Sequence, residues 1–296
     1  MESKLTRISS NYPIREIYNF RESGYIEAVL DKLADALSDE YELYLYFKLS
    51  KWKGFDLTIT SRDKKKVVLC VGDESWDVSY SFIDKVNYIF RTYLPAHLHG
   101  LGNLHHLAVG PSTLFSVEGV KDFSTRKYNV FFSGNLHLGR ADLYRCLTGA
   151  WILPFFLLHR IKKVLGVNFD KTFPASIIRF STGFHNGIQP GEYASMMQDS
   201  KICLCPAGVE NPETMRHFEA ARLGNIVVSE PLPNVPVYKN APFVILSSWR
   251  ELHKTIRGLL AEPARMLDLH YQTLEWWHTQ ASAEAVTAAI CQTLGV

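Results

Sequence analysis

Short runs of β-forming residues alternate along the chain with segments whose apolar positions recur at helical spacing. In the first part, Ile26, Val29, Leu30, Leu33 and Leu37 mark an amphipathic helix. Tyr41 to Phe47 is rich in strand formers, and Phe55 to Thr60 alternates like a strand near a sheet edge. Val67 to Gly72 is a continuous apolar run, the pattern of a strand covered on both faces. Tyr88 to Leu94 and the short run Leu107 to Pro111 are further strand candidates.

A polar, aperiodic stretch from Ser116 to Lys127 reads as an interdomain linker. A second series follows it, with strands predicted at Tyr128–Gly134, Ala175–Phe180, Ile202–Pro206, Ile226–Ser229 and Phe243–Leu246. Helices are expected at Arg140–Leu147, Pro190–Ser200, Thr214–Leu223 and Trp249–Leu260. The tail after Pro263 is read as helical, with a stripe of Leu267, Tyr271, Leu274 and Trp277. Strands alternating with helices of this length imply parallel, doubly wound sheets. The expected α/β organisation is an N-terminal Rossmann-like domain over 1–120, a second over 121–270, and a closing helix over 271–296 that packs back on the first.

Composition narrows the class without naming it. The 296 residues are 47% hydrophobic, with 32 basic and 30 acidic side chains. So even a balance argues against a nucleic-acid binder, and Lys64-Lys65-Lys66 reads as a solvated turn before a strand. The opening Met1 to Leu5 is polar and leads into no apolar run, and the apolar stretch Trp151–Leu158 is short and holds a proline. A cytoplasmic location is therefore expected. Cys203 and Cys205 alternate on a strand, a poor spacing for zinc, and all five cysteines are expected to be reduced thiols.

Neither a G-x-G-x-x-G fingerprint nor a Walker A loop is present, which leaves dehydrogenase and NTPase readings without their usual support. The second series instead offers a strand ending at Cys205, the loop Pro206–Glu213, and a helix opening near Thr214 that stops at Gly224. A strand–loop–helix unit at the carboxyl edge of a parallel sheet is where such folds place ligands. The free N–H groups of the helix start suit a diphosphate. Arg216 is positioned to add a charge-assisted fork, and Glu219, three residues on, to accept ribose hydroxyls. Alternatively the two side chains pair with each other. Asn211 or Thr214 can cap the helix.

Ser200 to Gly208, followed by Arg216 through Val228, resembles the C-terminal signature of exostosin-type glycosyltransferases, in which a "SKFCL-P-G" strand and loop precede a helix bearing an Arg and an acidic residue. The similarity continues through Pro242-Phe243 and Trp249–Leu252. It extends back to Val130–Gly134 with Arg140 and Leu143, and Tyr88–Tyr93 with Val109-Gly110 resembles the end of the family's acceptor domain. Glu219-Ala220-Ala221 replaces the usual "DAI", and Asn225-Ile226-Val227 stands at "CIP", as in a distant bacterial-type member. The resemblance implies a GT-B fold, two Rossmann-like domains facing a central cleft. It also implies metal-independent transfer from a nucleotide-sugar, with inversion favoured and retention left open; the donor expected is UDP-linked, and the acceptor a glycan or lipid-linked glycan. Such an enzyme would serve surface polysaccharide synthesis, with peripheral contact at the inner membrane face. Arg140 and Arg216 become the phosphate candidates, Gly134 a site of close backbone approach or else a plain tight turn, Glu219 the ribose candidate, and Gly208, Asn211 and Thr214 further donor contacts.

An inverting transfer needs a general base. Asp73 and Glu74, directly after the run Val67–Gly72, fit its expected place, and His99 is a secondary candidate. His97, His99, His105 and His106 lack metal-ligand spacing, and His185 sits in a turn. Trp276 and Trp277 are expected to pack in a core or junction. Two competing readings are a sugar-phosphate epimerase of the non-dinucleotide kind and a non-catalytic two-domain sugar-binding protein.

Overall fold

The computed structural model describes residues 8–11, 23–48, 56–59, 63–72, 74, 80–181 and 187–296. The chain divides into two compact units, one of Met1–Thr113, Pro233–Lys239 and His278–Val296, the other of Leu114–Leu232 and Asn240–Trp277. Each holds a five-stranded sheet whose described pairings are all parallel, so the protein is α/β with two parallel sheets.

In the first unit the strands are β1 (Ile8–Ser10), β2 (Tyr41–Phe47), β3 (Lys65–Val71), β4 (Tyr88–Arg91) and β5 (Leu104–His106), neighbours in chain order. Val67 to Val71 are buried because the sheet is covered on both faces, as their unbroken apolar run predicts. Helix α1 (Ser23–Ala36) buries Ile26, Val29, Leu30 and Leu33 and packs against the last helix of the chain, Ala283–Leu294. The Tyr25 hydroxyl donates to the Ala281 carbonyl at 2.7 Å and that of Tyr41 to the Leu294 carbonyl at 3.2 Å.

The second unit contains β6 (Tyr128–Asn135), β7 (Ser176–Ser181), β8 (Ser200–Cys205), β9 (Ile226–Ser229) and β10 (Val244–Ile245), in the spatial order β10-β9-β8-β6-β7. Its helices are α2 (Ala141–Thr148), α3 (Phe155–Leu165), α4 (Pro190–Gln198), α5 (Met215–Arg222), α6 (Leu252–Ala261) and α7 (Pro263–Trp276). Val130, Phe132, Ile202, Leu204, Ile226 and Val228 form the core with Leu143, Tyr144, Leu158 and Trp249. The first strand, β6, has its successor β7 on one side and β8 on the other. The order therefore reverses between β6 and β8, and this reversal point is where doubly wound sheets bind ligands, outside the strands' carboxyl ends.

Several expectations are corrected. Residues 56–59 form no strand, and Phe55 and Thr60 lie outside the described residues. The fifth strand is Leu104–His106 rather than Leu107–Pro111; only the Leu107 N–H continues the ladder, donating to the Arg91 carbonyl. Lys65 and Lys66 belong to β3, and Lys66 is buried, its ammonium donating to the Lys64 carbonyl. The buried face of α7 is Met266, His270, Thr273 and Trp276, one position before the expected stripe; Leu267 and Tyr271 are exposed, whereas Trp277 is buried as expected. The shift brings His270 against Phe123 at 4.8 Å and Trp276 against Phe243 at 4.8 Å. Helix α3 begins four residues after, and ends seven residues beyond, the apolar helical stretch read at Trp151–Leu158.

Candidate functional site

Strand β6 ends in Ser133-Gly134-Asn135, and the chain leaves through a 3-10 turn, Leu138–Arg140, into α2. Strand β8 ends at Cys205 and leaves through Pro206–Thr214 into α5. Both exits lie at the reversal point. They touch: a Cβ on Gly139 would stand 2.3 Å from the Gly208 carbonyl oxygen, closer than any real side chain tolerates. The loop after β8 is folded on itself by the Gly208 N–H, which donates to the Asn211 carbonyl at 2.7 Å. It is tied to the end of β9 by the Ala207 N–H, which donates to Glu230 at 2.9 Å.

Each exit carries one arginine to the same place. The Arg140 guanidinium donates to the Asn135 carbonyl at 2.9 Å, and that of Arg216 to the Ser133 carbonyl at 2.6 Å. Both lie over the ring of Phe132, at 5.8 and 5.0 Å from its centre. Gly134, in the strand and not in a tight turn, makes the convergence possible. A Cβ there would stand 2.6 Å from Arg140 Nη1 and 3.1 Å from Arg216 Nη2. Arg140 Nε and Arg216 Nη1 are buried donors with no acceptor among the described residues. Neither guanidinium has a carboxylate within ion-pairing distance among the described residues. Burial and the Arg216 charge hold Arg140 down to about 9, so both remain cationic at neutral pH.

Two residues join this place that sequence reasoning did not single out. Tyr193, on α4, receives a hydrogen bond from Arg216 Nε at 3.3 Å and donates its own to Glu219 Oε2 at 3.0 Å. Burial and the neighbouring Glu219 carboxylate raise its phenol well above the ordinary range, so it stays a donor. His137 opens the loop after β6. Burial, Arg140 and Arg216 lower it to about 4, and its Nδ1 is buried without a hydrogen-bond partner among the described residues. A histidine three residues ahead of Arg140 in the same loop was the only available signal, whereas Tyr193 lies on a weakly patterned helix with no motif around it.

Thr214 occupies the N-cap position of α5. Its N–H donates to His217 Nδ1 at 3.1 Å, which leaves the ring proton on Nε2, facing Ser229 Oγ at 2.8 Å; that hydroxyl donates to the Cys205 carbonyl. Burial lowers His217 to about 4, consistent with a neutral ring. Asn211 and Glu219 are buried nearby in the sequence-predicted segment, and Cys203 and Cys205 are buried free thiols. The structure thus brings together Gly134, Arg140 and Arg216, and joins Glu219 to Arg216 through Tyr193.

The candidates for a general base belong to the first unit. Asp73 lies outside the described residues, as does His185, a substrate-contact or turn candidate rather than a base. Glu74 follows β3, its N–H donating to the Gly72 carbonyl at 3.1 Å. His99 Nδ1 accepts the His106 N–H at 2.9 Å, and burial, then His105 and His106, lowers its pKa. The neutral ring therefore carries its proton on Nε2 and offers a donor. No grouping of His, Cys, Asp or Glu able to hold a metal occurs among the described residues.

No protein-family model matches the sequence, and no curated protein matches it. Among solved structures, the chain is similar to a sucrose-phosphate synthase from Thermosynechococcus elongatus (11% identity, 91% of this chain and 77% of that one, TM-score 0.48). It is similar to an α-glucosyltransferase in complex with UDP and a DNA 13-mer (11% identity, 93% and 84%, TM-score 0.48). It is also similar to Anabaena HepE in complex with UDP (9% identity, 99% and 81%, TM-score 0.47).

Proposed function

We propose that the protein is a GT-B-type glycosyltransferase that takes a sugar from a nucleoside diphosphate donor, UDP-linked, and passes it to a glycan or lipid-linked acceptor. The observation that carries this reading is the pair Arg140 and Arg216, brought together over Gly134 at the reversal point of the second sheet with no carboxylate in direct ion pair with either among the described residues. Two neighbouring buried cations are costly unless an anion neutralises them, and a diphosphate matches their charge and forked geometry. In the transfer, negative charge grows on the departing diphosphate, and preformed N–H donors there lower the barrier without reorganising. Glu219, held by Tyr193, accepts the ribose hydroxyls, and Gly208, Asn211 and Thr214 supply the loop beside the phosphates. The guanidiniums provide the positive charge, so the reading calls for no metal. Asp73, or Glu74 beside it, takes the acceptor proton in an inverting displacement. The exostosin-type signature, the inverting course and a role in surface polysaccharide synthesis belong to the same proposal.

The test is a thermal-shift series with UDP, GDP and CMP, each with and without EDTA. UDP is expected to raise the melting temperature equally in both conditions, and Arg216→Ala and Glu219→Ala to abolish the shift while remaining folded. A protein indifferent to all three nucleotides at millimolar concentration would overturn the reading. Asp73→Asn should bind UDP normally and transfer nothing.

A further inference from the structure

We propose that the outward face of the segment 152–164 docks on the surface of a bilayer containing anionic lipid. Ile152 is 93% exposed, Phe156 61% and Val164 86%, which makes them among the most exposed large apolar side chains described. Their exposure is not a failure of packing. Helix α3 turns Leu158 and Lys162 inward, with the Lys162 ammonium reaching the Ser181 carbonyl at 3.5 Å. Phe156, Arg160, Lys163 and Val164 recur at the spacing of one helical face, the opposite one, and are exposed.

Between the flanking Asp142 and Asp170 the charges along this segment are all basic. From Leu143 to Phe169 the sequence holds no Asp or Glu, while Arg160 and Lys163 stand exposed between Phe156 and Val164. At the other end, the exposed Arg250 guanidinium lies 4.3 Å from the ring centre of Trp151, next to Ile152. Apolar side chains at the ends of a cationic stripe are the pattern of an element that lies in the headgroup plane, inserting its apolar groups while its cations meet lipid phosphates. No helix among the described residues is long and apolar enough to cross a membrane, and eleven-residue α3 is suited to lying along one. The occupant is fixed by charge: a neutral apolar partner would leave Arg160, Lys163 and Arg250 uncompensated.

The proposal stands apart from the nucleotide reading, because it is tested with no nucleotide present. The full chain is sedimented with vesicles of phosphatidylcholine alone, or of phosphatidylcholine and phosphatidylglycerol in equal parts. It is expected to pellet with the mixed vesicles only, and less at high salt. Ile152→Ser with Phe156→Ser, and separately Arg160→Glu with Lys163→Glu, should each reduce bound protein by about ten-fold or more. All these side chains are exposed, so both variants should keep the wild-type melting temperature. Wild-type protein that stays in the supernatant overturns the proposal, as does wild-type binding by both variants. A dimer that the Ile152→Ser/Phe156→Ser variant splits would assign the face to a second copy and overturn it equally.

Discussion

The open face of Gly134 is filled by Arg140, whose Nη1 stands 2.6 Å from where a Cβ would be. The backbone of Gly134 is ordinary strand, so alanine meets no conformational barrier there; it meets the ends of two flexible side chains, Arg140 and, at 3.1 Å, Arg216. Gly134→Ala should therefore cost little stability, because the guanidinium can swing away. The same movement removes a phosphate donor from its place. The expected outcome is a melting temperature within about 3 °C of wild type, with UDP affinity reduced about ten-fold or more. Calorimetric titration checks it, and unchanged affinity would separate Gly134 from the donor site.

Tyr193→Phe removes one hydroxyl that serves two charged groups, Arg216 and Glu219. Glu219 is 5% exposed, so the hydrogen bond lost from its carboxylate is not readily replaced by water. A destabilisation of about 1.5–3 kcal/mol is expected by urea unfolding, the range for hydrogen bonds to charged groups. Nucleotide affinity should fall as well, because Glu219 and Arg216 lose their common support. A variant as stable as wild type with wild-type affinity would show the hydroxyl to be idle.

The elements that a reader of the sequence places well are those whose periodicity is set by burial. Val67–Val71 and Ile202–Cys205 are apolar throughout because both their faces are covered, and no other structure explains them. Leu104–His106 escapes notice because two histidines stand in it, and their ring contacts, such as His105 on Phe90 at 5.1 Å, arise only once the sheet exists. The candidate site divides in the same way. Arg216 and Gly208 lie in one strand–loop–helix unit, so local reasoning reaches them. Tyr193 enters from α4, and its partnership with Glu219 depends on the packing of two helices. Gly134 was legible as a close-approach glycine, but what approaches it, a pair of guanidiniums, depends on two loops meeting at the reversal point.

Acid should destabilise the protein through its buried histidines, with a calculable sign. His217 is held down to about 4, below the ordinary 6.5, by burial. The unfolded chain therefore takes up a proton as pH falls through 6.5, while the native ring resists until about 4. Stability is complete above that window and is lost on descending through it, by on the order of 3 kcal/mol for a wholly buried ring. His137, also lowered to about 4, acts in the same direction. Urea unfolding at pH 7.5 and pH 5 measures the slope, and His217→Gln should flatten it. An identical slope in the variant would remove His217 as its cause.

Gly224 contrasts with Gly134, because here both backbone and space forbid a side chain. Its φ is +65°, the left-handed turn that ends α5, and the Gly224 N–H donates to the Ala221 carbonyl at 2.9 Å. A Cβ would stand 2.5 Å from His270 Nδ1 and 2.7 Å from Leu274 Cγ, both on α7. His270 is itself engaged, with Nδ1 2.6 Å from the Gly224 carbonyl, and cannot swing away without giving up that contact. Gly224→Ala should accordingly cost about 1–2 kcal/mol for the left-handed residue, and more for parting α7 from the end of α5. Because α5 also carries Arg216 and Glu219, part of the loss should be recovered by saturating UDP, as mass action requires of a ligand that binds only the native site. A Gly224→Ala variant that is destabilised yet gains nothing from UDP would mean that the end of α5 and its nucleotide-facing beginning are energetically separate.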